Sequence, residues 1–306
     1  MTKKYTMPFS HLLNPGHSAC AGCGELLGMR HVLDAAGPNT ILTNATGCSE
    51  VTTSRYPMSS FKVPWIHANF ENAAPLMSGV SAALRYKSKG KVSNEKTNLI
   101  AWGGDGATFD IGLGMISGAW ERGEDFLYVC WDNEAYMNTG MQASGSTMLG
   151  SNTTTTQPGK ESLGNQLRKK DMLSIALAHG CTYVASATIG NVMDIEAKVK
   201  KALAIPGPKY LQVLVTCVPG WHTDSKDTIK IGRLAQQTGL YPVVEYIEGR
   251  LASVAKCPKP RPKVDEYLKL QGRFKHLFKD KNGSKVIDEL QKMADYNVNK
   301  FGLEVK

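Results

Sequence analysis

Five short apolar runs, each separated from the next by an amphipathic stretch, limit this 306-residue chain to very few architectures. The runs are TILTNA (40–45), NLIAWG (98–103), FLYVCW (126–131), TYVASA (182–187) and LQVLVT (211–216). They are rich in aliphatic, β-branched and aromatic residues, as strands buried on both faces are, and parallel sheets bury both faces. Helical candidates lie at 25–36, 72–87, 112–122, 171–179 and 191–204. The last of these sets Val192, Ile195, Val199 and Leu203 on one helical face. This alternation predicts an α/β fold, a parallel sheet with helices on both faces.

The texture changes near residue 250. KCPKPRPK (256–263) is a proline-punctuated basic linker that suits neither a helix interior nor a central strand. Beyond it, SKVIDELQKMADYNV (284–298) places Val286, Ile287, Leu290, Met293 and Ala294 on one helical stripe. The expected division is a body of residues 1–250 and a C-terminal extension of residues 251–306 that packs on the body or wraps a partner subunit. The net charge is +9, and residues 256–306 hold 13 Lys and Arg against 7 Asp and Glu. Most of the excess therefore lies in the extension. No aromatic residues interleave with it as in a nucleic-acid module, so an acidic protein partner or solvent is expected beside it, not nucleic acid. No stretch approaches 18 consecutive apolar residues, so no membrane span is expected. The opening MTKKYTMPFSHLLNPGH has no apolar h-region or small-residue cleavage site, and a cytoplasmic location is the expectation.

CAGCGELLGMR (20–30) puts Cys20 and Cys23 in a C-x-x-C. Alone, that spacing fits a structural zinc, a redox dithiol, an iron–sulfur cluster or nothing. Seven cysteines is an odd count, and cytoplasmic chains rarely form disulfides. Cys130 and Cys181 lie in or beside apolar strands and read as buried inert thiols, and Cys257 in the basic linker carries no assignment.

A second pattern is richer. WGGDGATFDIG begins where a strand ends, and a Gly-rich turn there lets backbone N–H groups approach a phosphate. Asp105 adds a hard oxygen ligand for a divalent cation. WDNEAYMNTG ends the next strand, and ligands of parallel sheets sit at the carboxyl ends of strands, so both segments face one crevice. Asp105, the Asn133 side chain and a nearby backbone carbonyl make a partial oxygen shell for Mg²⁺, with room left for diphosphate oxygens and water. A GDG turn followed one strand later by such an Asn is the signature of thiamine diphosphate binding.

The segments GHSACAGCGE, ATGCSE, VPWIHANFENAA, GGDGATFDIGLGMISGAWERG, DNEAYMNTGMQ and TTTTQPGK together resemble the β subunit of 2-oxoacid:ferredoxin oxidoreductases, over roughly residues 14–245 and in order. Pyruvate:ferredoxin oxidoreductase is the best-known type, and oxalate oxidoreductase is a close one. The resemblance implies the thiamine-diphosphate-binding fold, with thiamine diphosphate, Mg²⁺ and one [4Fe–4S] cluster as cofactors. It places the cluster on Cys20, Cys23, Cys48 and Cys217, and Mg²⁺ on Asp105, Asn133 and the Ala135 carbonyl. Gly104, Asp105, Gly106 and Ala107 would cradle the diphosphate, and Asn133, Glu134, Ala135, Tyr136, Asn138 and Thr139 would line the cofactor. Glu25 would contact the thiamine, Cys48 would touch cofactor and cluster alike, and Asn138 would stand beside the reacting centre, making Glu25 and Asn138 the catalytic pair. His67 and Phe70 read equally as core packing or cofactor contact.

Zinc is the rival for the thiols, since four cysteines also suit it. A zinc ribbon supplies its cysteines as two close pairs, however, and Cys48 and Cys217 each stand alone. The reaction implied is oxidative decarboxylation of a 2-oxoacid, pyruvate foremost, with coenzyme A taking the acyl group and ferredoxin the electrons. Met148, Leu149 and Asn152 replace the Pro and aromatic residue of pyruvate-type relatives, which leaves oxalate, needing no coenzyme A, and branched-chain 2-oxoacids as alternatives. The resemblance also implies α, γ and ferredoxin-like δ subunits, with α supplying the Glu that activates the aminopyrimidine. Two other classes remain beside it: a non-redox thiamine decarboxylase or synthase half with structural zinc, and a zinc-bearing interaction module.

Overall fold

Each apolar run becomes a strand because its alternate side chains find cover on opposite faces of one sheet. The computed structural model describes residues 11–55, 57–88 and 97–305; the first ten residues of the N-terminal stretch lie outside the described residues. The strands are β1 (Thr40–Asn44), β2 (Trp65–His67), β3 (Asn98–Gly104), β4 (Leu127–Asp132), β5 (Tyr183–Thr188), β6 (Lys209–Leu214), β7 (Val244–Ile247) and β8 (Arg250–Val254). They form one sheet in the order β2-β1-β3-β4-β6-β5-β7-β8. The pairings from β2 through β5 are parallel.

The helices are α1 (Gly24–Ala36), α2 (Cys48–Val51), α3 (Ala73–Lys87), α4 (Leu113–Glu121), α5 (Met172–Ala178), α6 (Val192–Ala204), α7 (Val218–Trp221), α8 (Thr228–Gln237), α9 (Val264–Leu268) and α10 (Gly283–Phe301). One face of the sheet buries Ile100, Trp102, Val129 and Trp131 under Met29 and Leu33 of α1 and Val199 of α6. The other buries Ala101, Tyr128, Cys130 and Tyr210 under Met77 of α3, Trp120 of α4 and Ala176 of α5. Successive residues of β3 and β4 thus enter opposite cores, as the period of two in a pleated strand requires.

The sheet is not wholly parallel. β7 runs antiparallel to β5 and β8 antiparallel to β7. Glu248 and Gly249 join them with φ of 49° and 72°. Two left-handed central residues give a turn whose twist matches that of the flanking strands. The apolar-period reading passed over this hairpin, whose strands are short and whose second strand, β8, is largely exposed.

The extension packs back on the body. Leu290 and Ala294 of α10 bury with Trp221, Ile231, Tyr267 and Phe274, while Val286, Ile287 and Met293 lie half-buried against them. Cys257, Val298 and Leu303 close a small satellite core. Among the described residues no helix is long and apolar enough to cross a membrane.

The parallel register brings the functional segments to one edge. Gly104 pairs with Trp131, and Asp132 with Leu214, so β3, β4 and β6 end at one level. The loops leaving those strands, with that following β1, meet above the carboxyl end of the sheet.

Candidate functional site

A cleft opens at that edge, lined by Glu25 from α1, Thr46 to Cys48 after β1, Gly104 to Ala107 after β3 and Ala135 to Thr139 after β4. The turn after β3 is tighter than a plain Gly-rich loop: a π-helix, Gly106–Ile111, starts at once and leads into α4. A Cβ on Gly104 would meet no protein atom nearer than the Trp131 carbonyl at 4.0 Å, so it would stand in the cleft. A Cβ on Gly106 would lie 2.4 Å from the Tyr136 ring. Gly104 therefore leaves room for a ligand, and Gly106 leaves room for Tyr136, which stacks on Phe70 and donates to Asp110 at 3.0 Å.

Asp105 is fully buried. Its carboxylate accepts the Asn133 backbone N–H at 3.2 Å and the Ser144 hydroxyl. Burial, reinforced by the neighbouring Asp132, holds its pKa well above the ordinary carboxylate range. A cation placed there would reverse that balance. Asn133 donates its side-chain amide to Glu25 at 3.3 Å, and its side-chain oxygen is buried without a partner. A buried oxygen of this kind needs a partner, and a cation in the cleft would supply one. The Ala135 carbonyl also takes no hydrogen bond among the described residues. The Asp105 carboxylate, the Asn133 side-chain oxygen and this carbonyl are a hard-oxygen donor set that fits Mg²⁺. With the open wall at Gly104, the residues fit a divalent cation and a diphosphate.

Glu25 is nearly buried, and burial pushes its carboxyl up to about 7, against hydrogen bonds from Asn133 and Ser49. Phe70 lines the cleft, whereas His67 stands behind it and bonds Thr46 at 2.9 Å. Asn138 and Thr139 are exposed on the rim. One expected cofactor residue faces away. The Glu134 side chain, only 1% exposed, turns into the protein to pair with Lys169 at 3.0 Å and Arg273 at 2.6 Å. Its φ of 66° is left-handed, a conformation that costs a side-chain-bearing residue about 1–2 kcal/mol.

A second cavity adjoins the cleft and is lined by Cys20, Cys23, Cys48 and Cys217. Glu25, Cys48, Asn133, Met137 and Asn138 line both spaces. Each cysteine arrives on different local structure. Cys23 precedes α1, Cys48 opens α2, and Cys217 caps α7, its sulfur accepting the Gly220 N–H at 3.4 Å. Burial, with Glu25 next, pushes Cys23 up to about 12 and raises Cys48 further; burial also lifts Cys217 to about 12. Among the described residues no three or more His, Cys, Asp or Glu side chains are already gathered as a metal-holding group. Four thiols around one cavity have the chemistry to hold a four-iron cluster, and four thiolates also suit zinc. Cys130, Cys181 and Cys257 are buried elsewhere.

Met148 and Leu149 lie in or against the third core beside Trp221, and Asn152 is exposed; none lines the cleft. Met148 and Leu149 thus serve packing, and Asn152 lies at the surface. Met137 lies within the expected lining run 133–138, whereas sequence reading missed Thr46 and Gly47 as lining residues, although both lie inside the quoted segment ATGCSE. It also missed Lys169, Trp221 and Arg273, for which no local signal exists.

Residues 45–213 match the family described as thiamine pyrophosphate enzyme, C-terminal TPP binding domain. The chain is 48% identical over 299 residues to pyruvate synthase subunit PorB of Methanosarcina barkeri, covering 98% of this chain and 99% of that one. It is 42% identical over 282 residues to ketoisovalerate oxidoreductase subunit VorB of Pyrococcus abyssi, covering 91% and 90%. Among solved structures, a 2-oxoglutarate:ferredoxin oxidoreductase from Magnetococcus marinus aligns with a TM-score of 0.56 at 20% identity, over 75% of this chain and 82% of that one, a likeness of fold.

Proposed function

This chain belongs to the β-subunit family of the thiamine-diphosphate-dependent 2-oxoacid:ferredoxin oxidoreductases, and on that premise we propose that it serves the pyruvate member, carrying Mg²⁺-bound thiamine diphosphate in the cleft and a [4Fe–4S] cluster in the thiol cavity. It is part of an oxidoreductase that uses thiamine diphosphate, within a multi-subunit complex with ferredoxin as acceptor. One observation carries the cofactor pairing: a cavity ringed by four thiols shares the wall of Glu25, Cys48, Asn133, Met137 and Asn138 with the cleft. Pyruvate is favoured because the pyruvate synthase subunits, at 43–48% identity, include the two at 48% over nearly the whole chain, with the ketoisovalerate subunit at 42%.

When bound, thiamine diphosphate supplies the carbanion and electron sink for decarboxylation, and an adjacent cluster takes electrons singly. This chain would hold and orient it. Asp105, the Asn133 side-chain oxygen and the Ala135 carbonyl would hold the cation, and the open backbone at Gly104 would admit the diphosphate. Glu25 and Asn138 would face the reacting end, with Glu25 set by burial to exchange a proton near neutrality. Cys48 stands where the two spaces meet and keeps the electron path short.

The specific partners are α, γ and ferredoxin-like δ subunits, with the 251–306 extension facing one of them. A cytoplasmic setting suits thiols that must stay reduced until a cluster is installed. The test is a substrate panel on the assembled complex: pyruvate, branched-chain 2-oxoacids, 2-oxoglutarate and oxalate, with and without coenzyme A. Coenzyme-A-dependent ferredoxin reduction fastest with pyruvate is expected. Turnover with oxalate alone, or a complex holding zinc without iron and acid-labile sulfide, would refute the assignment.

A further inference from the structure

We propose that Arg273, delivered by the C-terminal extension, is a positioning residue for the cation-binding loop at 133–135, so that the extension completes the cofactor site of its own chain. The inference rests on the thiamine and Mg²⁺ reading above and goes beyond it, since neither the motifs nor the relatives' names point to the extension.

Four observations carry it. First, the loop is held in an unfavourable shape: Glu134 is left-handed, and this is what turns its side chain inward while Asn133 and Ala135 face the cleft. Second, the inward carboxylate is gripped by Arg273 at 2.6 Å, both groups being almost wholly buried. Third, Arg273 reaches the loop at a second point. Its guanidinium lies 3.8 Å over the Trp221 ring, and the Trp221 indole N–H donates to the Asn133 carbonyl at 2.7 Å. Fourth, Arg273 is itself fixed, donating to Gln271 at 2.9 Å, while Gln271 donates to the Tyr267 carbonyl at 2.9 Å.

The charges explain why an arginine is required. Lys169 pairs with both Asp132, at 2.5 Å, and Glu134, so with Arg273 the buried set holds two cations and two anions. Without Arg273, one lysine is left to serve two carboxylates beside the buried Asp105. An uncompensated buried charge is strongly unfavourable, and rotating Glu134 out of the left-handed region relieves both strain and charge. That rotation carries Asn133 and the Ala135 carbonyl away from the cleft. Lysine is a poor replacement because it lacks the planar fork that stacks on Trp221 while bonding a carboxylate.

The experiment uses the assembled complex, stripped of thiamine diphosphate and retitrated at fixed Mg²⁺ by equilibrium dialysis, with iron, acid-labile sulfide and Tm measured in parallel. Arg273→Met is expected to raise the Kd for thiamine diphosphate at least tenfold while iron and sulfide stay at wild-type content. Arg273→Lys is expected to fall between, and serves as the test if the methionine variant does not assemble. Adding Glu134→Gln to Arg273→Met restores the charge balance and is expected to recover part of the affinity, which a purely structural loss would not do. Wild-type Kd in the Arg273 variants overturns the proposal, as does a rise in Kd that the second substitution leaves untouched while iron and Tm fall together. A wild-type complex that retains no thiamine diphosphate overturns the cofactor reading beneath the proposal, and the proposal with it.

Discussion

Asn133 shows how a residue's other polar groups can be engaged so that its side-chain oxygen is left free. Its N–H goes to Asp105 and its carbonyl to Trp221, which leaves the side-chain oxygen buried and unpaired at the cleft. Asp105 plays the complementary part, burying a carboxylate that a bound cation would hold in its charged form. Asp105→Ala is expected to abolish Mg²⁺-dependent retention of thiamine diphosphate on gel filtration while iron and sulfide stay at wild-type level. Cys217→Ser is expected to cost the complex most of its cluster iron and its ferredoxin reduction; unchanged cluster spectra and turnover would show that Cys217 is no ligand. Gly106→Ala tests packing instead. Its Cβ would strike the Tyr136 ring at 2.4 Å, with the stack on Phe70 and the bond to Asp110 at stake. Overpacking of this kind is expected to destabilise the chain by about 1–3 kcal/mol, read as a lowered Tm.

At the scale of elements, the antiparallel hairpin is tied to the parallel sheet through one carboxylate. Glu245 on β7 accepts from Tyr183 of β5 at 2.7 Å, Lys201 of α6 at 2.8 Å and Ser253 of β8 at 2.9 Å. Burial opposes its charge, but the bonds from Lys201, Tyr183 and Ser253 outweigh it and hold the carboxyl below the usual glutamate value. A depressed carboxyl contributes stability above the unfolded value, near 4.3, and loses it as pH falls through the lowered folded value. Glu245→Gln is therefore expected to cost about 2 kcal/mol at neutral pH. Tm curves for wild type and variant should converge as the medium becomes strongly acidic; a constant gap down to the lowest pH would show that Glu245 contributes packing alone.

For the whole molecule, the charge matters more than any single lysine. A chain of net charge +9 would draw an acidic protein toward it, over distances that salt shortens. Electron transfer from the complex to an acidic ferredoxin is expected to slow severalfold between low and physiological ionic strength, measured as the second-order rate of ferredoxin reduction. A salt-independent rate would locate the attraction elsewhere. The extension, which holds most of the excess charge, is also the piece that closes the third core with Trp221 and Ile231. It therefore serves the chain's interior as well as its surface.

The strand–helix alternation was legible because burial on both sheet faces imposes an apolar texture that no other arrangement explains. The expected strands 98–103 and 126–131 appear as Asn98–Gly104 and Leu127–Asp132, and helix 25–36 as Gly24–Ala36. The cleft was legible too: Asp105 and Asn133 sit just beyond adjacent strands, and sheet register converts that sequence position into proximity. The meeting of Cys20, Cys23, Cys48 and Cys217 around one cavity came into view only with the resemblance, since two of the four stand alone in the chain. The inward turn of Glu134 and its capture by Lys169 and Arg273 were decided by tertiary structure alone. Glu134 and Arg273 lie 139 residues apart, and no local pattern records a contact made when the extension folds back over the sheet. Local periodicity determined which segments became strands and helices; the packing of the extension decided what holds the candidate cation loop in shape, because only a folded chain can bring a buried guanidinium to a buried carboxylate.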